Sequence, residues 1–98
     1  MPLTFESLAA LSRAPGTDTA LLEIETTAGI VLLRVADAVP DPATPGTGSI
    51  YLTGGSEFPL GSDTFEALSV ARPEVAGPLF LVPISDVAGV RTYQAVFR

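Results

Sequence analysis

The stretch Gly77–Arg98, GPLFLVPISDVAGVRTYQAVFR, decides the fold class. Leu79, Leu81 and Pro83 alternate with Phe80, Val82 and Ile84, and Asp86-Val87-Ala88-Gly89 then interrupts the pattern. Beyond the break, Tyr93, Ala95 and Phe97 alternate with Thr92, Gln94 and Val96. Successive side chains of a strand point to opposite faces of a sheet, so period-two alternation bounded by Gly, Pro and Asp marks half-buried strands. Two such runs joined by a short connector predict a β-hairpin over 77–98. Pro83 falls inside the first run. It has no N–H to give to a ladder, so this strand is expected to be an edge there or to carry a bulge.

Upstream, the same period recurs. Leu22, Ile24 and Thr26 point one way, and Leu21, Glu23 and Glu25 the other. Thr27-Ala28-Gly29 then turns the chain, with Gly where a positive φ is needed. Ile30–Val39 returns with Val31, Leu33, Val35 and Val39 on one face and Ile30, Leu32, Arg34, Ala36 and Ala38 on the other. This gives a first hairpin over 18–39, across which Arg34 can reach Glu23 or Glu25. An exposed pair of that kind is worth about 0–1 kcal/mol and tunes register only. Residues 40–49, PDPATPGTGS, hold three prolines and two glycines and read as an exposed loop. Ser49–Thr53 and Asp63–Val70 are two further short strands, and Arg72–Ala76 turns around Pro73. Between them lies Gly54–Ser62, in which Phe58 and Leu60 tuck back onto the sheet or onto a partner. At the other end of the chain, residues 3–12 carry the one helical spacing: Phe5, Leu8 and Leu11 recur at three residues behind a Thr4 N-cap. A helix that short must dock its apolar face to persist.

The tally is one all-β domain over 1–98, a small antiparallel barrel or sandwich of about six strands with one short N-terminal helix. No internal repeat is visible. The chain has 98 residues, of which 47% are hydrophobic and 16% charged. Soluble domains carry roughly 25% charged residues. The apolar excess reflects either an Ala- and Val-rich coding bias, in keeping with five Arg and no Lys, or surface that other subunits cover. A net charge of −6 and scattered arginines argue against nucleic acid, which requires clustered cations. The start lacks a basic region followed by an apolar core, so no signal peptide is expected, and no apolar run is long enough to cross a membrane. A soluble protein is the expectation.

Chemistry is harder to find. Without His, Cys or Lys there is no imidazole base, no thiolate and no Schiff-base amine. Asp37 and Asp41, or Asp63 and Glu66, are carboxylate pairs, but a glycosidase cleft needs aromatic platforms that a chain without Trp does not offer. Asp37–Asp41 falls short of a calcium loop. Gly54-Gly55 and Gly61 lack the Lys and the following helix of a phosphate loop and read as turn residues. Tyr51, Tyr93 and Phe97 are expected in the core; the other arrangement open to them is the mouth of a ligand pocket. No catalytic, cofactor or metal residues are expected. The candidate contacts are to protein partners: Phe58, Leu60 and Pro83.

Leu79-Phe80-Leu81-Val82-Pro83-Ile84, then Gly89 and Tyr93-Gln94-Ala95-Val96-Phe97, resembles the closing signature FLVPIGP-x-x-x-G-x-x-YEAVFN of a family of small bacterial and phage domains of uncharacterised activity. Leu3–Leu8 is similar to that family's LTLEDFAPLVG opening, and Ile50–Gly54 to its FSLLFRGP strand. The likeness runs most of the chain in order, closest at the C-terminus. It departs at Arg98, where the family has Asn, and at Ser12-Arg13, where it has Gly. Genes of that family often neighbour phage tail-collar proteins. The resemblance implies a small β domain and a tail- or fibre-associated role, in the virion or a tail-like appendage, and carries no site residue. The combined expectation is a non-enzymatic structural or adaptor subunit without cofactors, whose partners are other protein subunits, homo- or hetero-oligomeric. The alternative is a free-standing small β-barrel that binds a small ligand or a protein partner.

Overall fold

The computed structural model describes residues 3–13, 20–57 and 59–98. These form one helix, α1 (Phe5–Arg13), and six strands: β1 (Leu21–Thr26), β2 (Gly29–Pro40), β3 (Gly48–Gly55), β4 (Asp63–Ser69), β5 (Ala76–Val87) and β6 (Val90–Phe97). The strands close into an antiparallel barrel in the order β1-β2-β3-β6-β5-β4. Of the two architectures the alternation allows, the molecule takes the barrel. β1-β2-β3 and β4-β5-β6 are each a meander, and the β3–β6 and β1–β4 pairings join them. The halves therefore share one connectivity that no repeat in the sequence announces.

Two bulges shape the sheet. Pro83 pairs with Tyr93 and Ser85 with Thr92, leaving Ile84 as the extra residue immediately after the proline. The missing N–H thus falls where the ladder is interrupted, as the sequence requires. Both alternatives hold, because each half of β5 is paired on one side only: Ala76–Leu81 with β4 and Val82–Val87 with β6, so at Pro83 the β4 side of the strand is an edge. The second bulge, between Val35 and Asp37, shifts the phase of β2. Leu33 and Val35 point inward as their spacing predicts, but beyond the bulge Ala38 faces the core and Val39 is 48% exposed. The alternation read through Val39 fails there for that reason. Register also sets Leu21 opposite Arg34 and Leu32 opposite Glu23.

The interior is packed with side chains. Leu22, Ile24, Leu33, Ile50, Leu52, Leu81 and Tyr93 are each 1% exposed or less. A barrel of this strand number is wide enough for side chains and little else. α1 covers one end. Thr4 Oγ1 accepts the Ser7 N–H at 3.1 Å and Ser7 Oγ accepts the Thr4 N–H at 2.9 Å, a reciprocal cap that starts the helix. Phe5, Leu8, Ala9 and Leu11 are buried beneath it, and Phe5 meets Phe97 edge-on with ring centroids 6.4 Å apart. At the opposite end β5 continues to Val87, past the Asp86 where the alternation breaks. Ala88 (φ 55°) and Gly89 (φ 81°) alone make the turn into β6. Two consecutive positive φ values define the type I′ turn, whose twist matches that of the paired strands.

Candidate functional site

Three residues near the C-terminus strap the Ser56–Leu60 segment across the end of the barrel away from α1. The Leu60 N–H donates to Tyr93 Oη at 3.0 Å, and Arg91 Nη2 donates to the Leu60 carbonyl at 2.9 Å. Asp86 accepts the Ser56 hydroxyl on one oxygen and Arg91 Nη1 on the other, the latter at 3.4 Å. The Arg91 guanidinium lies 5.6 Å from the centre of the Tyr93 ring, within reach of the ring quadrupole. The strap presses Leu60 into the barrel, where it is 7% exposed. Of the two positions open to it, Leu60 therefore tucks onto its own sheet, and it is withdrawn as a partner anchor. Pro83 is half-buried at its bulge, opposite Tyr93 in the ladder. Phe58 lies outside the described residues.

The carboxylates singled out by spacing serve the backbone. Asp37 Oδ1 accepts the Ala38 N–H at 2.8 Å, Asp41 Oδ1 the Ala43 N–H at 2.9 Å and Asp63 Oδ1 the Thr64 N–H at 2.7 Å. Among the described residues no three acidic groups are placed to hold a metal ion. The Glu74 carboxyl lies below its ordinary range, held by a backbone hydrogen bond and then by Arg72 at 3.0 Å, on the β4–β5 turn. Gly54 and Gly55 belong to β3, not to a turn. Gly54 is there for packing, since a Cβ would run into the Leu33 side chain.

The three aromatics do not gather at a mouth. Tyr93 fills the interior, Phe97 lies under α1, and Tyr51 is on the outer surface, opposite Gln94 in the ladder. What the molecule presents outward is apolar sheet surface. On β5 and β6, Phe80 is 55% exposed, Ile84 49%, Val87 69%, Val90 48% and Val96 49%, and on β2 Ile30, Leu32 and Val39 are exposed as well. The signal for these was in the sequence: the alternation that turns Leu79 and Leu81 inward turns Phe80 outward.

Charge divides this outer surface. On β1 and β4, Glu23, Glu25 and Glu66 point outward, and Glu25 stands directly opposite Glu66. Diametrically across the barrel, β3 shows Ser49, Tyr51, Thr53 and Gly55, and β6 shows Val90, Thr92, Gln94 and Val96. None of these eight is charged. Gln94 Nε2 donates to Ser49 Oγ at 3.1 Å and to Tyr51 Oη at 3.4 Å, which ties the polar centre of the face together. This uncharged face is the candidate site. No family model, curated protein or solved structure matches the chain.

Proposed function

We propose that this chain is a non-enzymatic structural or adaptor subunit of a larger protein assembly, of the phage tail or tail-like fibre kind. The observation that carries the reading is the outward apolar set on β5 and β6, Phe80, Ile84, Val87, Val90 and Val96, on a closed barrel. Covering such surface removes apolar area from water at about 25 cal/mol per Å². The side-chain inventory supports it, since the sequence lacks His, Cys and Lys. The assignment to a tail rests on the likeness of the Leu79–Phe97 segment to the phage-associated family. The ligand-binding alternative draws less support, because Tyr93 and its neighbours occupy the barrel interior. No helix among the described residues is long and apolar enough to cross a membrane.

The test is co-expression with the products of adjacent genes, followed by size-exclusion chromatography with light scattering. A stable complex, or a defined homo-oligomer, is the expected result. A chain that stays monomeric and elutes apart from every neighbour overturns the proposal. Phe80→Asp on the exposed surface is expected to release the complex without lowering the melting temperature.

A further inference from the structure

We infer that the outer face of β3, β6 and the second half of β5 pairs with the same face of a second copy of this chain across a two-fold axis. The inference rests on the subunit reading above and names the partner. Three observations carry it.

The first is charge. The chain carries a net −6, so two copies repel wherever carboxylates meet. Any contact through β1 and β4 sets Glu25 and Glu66 of one copy against those of the next. The β3–β6 face is diametrically opposite, and none of its outward residues on either strand is charged. Its charges stand at the rim: Arg34 and Asp37 on the neighbouring β2, opposite Thr53 and Tyr51, Asp86 near the end of β5, and Glu57 against Gly55. A neutral centre with a charged rim is how protein interfaces are built.

The second is that the face matches itself. The outward residues of β6 read Val90, Thr92, Gln94, Val96, apolar at both ends and polar in the middle. A two-fold axis between Thr92 and Gln94 lays valine on valine and Thr92 on Gln94 of the partner. Hydroxyl and amide groups both donate and accept, so they are satisfied by copies of themselves, whereas a charged group never is. On the flanking strands Thr92 is level with Thr53 and Ser85, and Val90 with Val87, while Ser49 and Gly55 of β3 stand beside the two valines and Val82 of β5 beside Gln94. A contact that repeats the same patch on both subunits is what two-fold symmetry requires.

The third is area. Three strands at about 4.8 Å spacing and eight residues at about 3.4 Å rise give a patch of about 14 by 27 Å. That is about 400 Å² per copy, half the standard size and in the range of weak, transient contacts. The dimer is therefore reversible and populated only at high chain concentration.

Sedimentation velocity of the wild-type chain up to about 1 mM reads this directly. A concentration-dependent shift from monomer to dimer is expected. Thr92→Asp and Thr92→Arg, each placing like charges near the axis, are expected to weaken dimerisation at least about tenfold. An equimolar mixture of the two variants sets opposite charges across the axis and is expected to restore the dimer. Glu66→Gln, on the acidic side, is expected to leave dimerisation unchanged, and urea midpoints confirm that each variant is folded. A dimer that ignores Thr92→Asp, or variants whose mixture stays monomeric, overturns the inference. So does a wild-type chain that is monomeric throughout; the subunit reading then stands or falls separately, on co-expression with neighbours.

Discussion

The two ends of the barrel are closed by different physics. At the α1 end the plug is apolar and non-directional: Phe5, Leu8 and Leu11 sink below 7% exposure, and Leu8 is fully buried. At the other end the plug is one leucine held by directional bonds: Tyr93 and Arg91 grip the backbone of Leu60, and Asp86 grips Ser56. Apolar burial persists through small displacements, whereas a hydrogen bond weakens steeply once distance and angle are lost. The α1 end is thus part of the global fold, and the strapped end is where the molecule opens locally first. The largest expected effect follows at the α1 end. Leu8→Ala removes a fully buried side chain from beneath a helix too short to stand alone, and is expected to destabilise by about 2–5 kcal/mol in urea unfolding. A cost below about 1 kcal/mol would mean that α1 is a lid and not a plug, which would break the contrast.

The next effect is at the strap. Tyr93→Phe keeps the ring that fills the interior and removes only the acceptor of the buried Leu60 N–H. Leaving one buried donor unmatched costs about 1–3 kcal/mol. Because only one segment is released, hydrogen exchange at Leu60 should accelerate while amides in the β1–β2 ladder stay protected. Uniform acceleration across the barrel would show that the strap is as integral as the helix. Arg91 contributes less than its contacts suggest, since its Nε is buried without a partner among the described residues, a standing cost against the bonds its Nη atoms make.

Much of this was legible in the sequence, and the limits are physical. Period-two alternation located the four strands of the two hairpins, the loops between them set off the two short strands, the Thr4 cap located α1, and Pro83 marked an edge or a bulge, because each depends on residues close in the chain. The bulge at Ala36 left no such mark, since neither proline nor glycine stands there, and the orientation of Val39 was lost with it. The strap was illegible for another reason. Leu60 and Tyr93 are 33 positions apart, and nothing local to Leu60 says that a tyrosine hydroxyl will meet its amide. The uncharged face needed the strand order, because β3 and β6 become neighbours only through the closing pattern of the barrel. Its residues were all visible, but which strand lay beside which was not.

The smallest effect sharpens the comparison at the strapped end itself. The Ala88-Gly89 turn is tied to the strap, because the Ser56 N–H donates to the Gly89 carbonyl at 3.1 Å. Ala88 has φ 55°, and a Cβ in that region crowds the following carbonyl at a cost of about 1–2 kcal/mol. Asparagine tolerates this conformation better and, followed by Gly, is the preferred pair for a type I′ turn. Ala88→Asn should therefore stabilise the chain by about 0.5–1 kcal/mol, seen as a higher urea midpoint at unchanged slope. Glycine at the same position relieves the strain too, but it widens the unfolded ensemble and should gain less. If the turn is the hinge about which the strapped end opens, Ala88→Asn also slows exchange at Leu60 without touching the amides beneath α1. Equal protection at both ends would instead place the turn within the global fold, and the strained alanine would be a cost borne by the whole barrel.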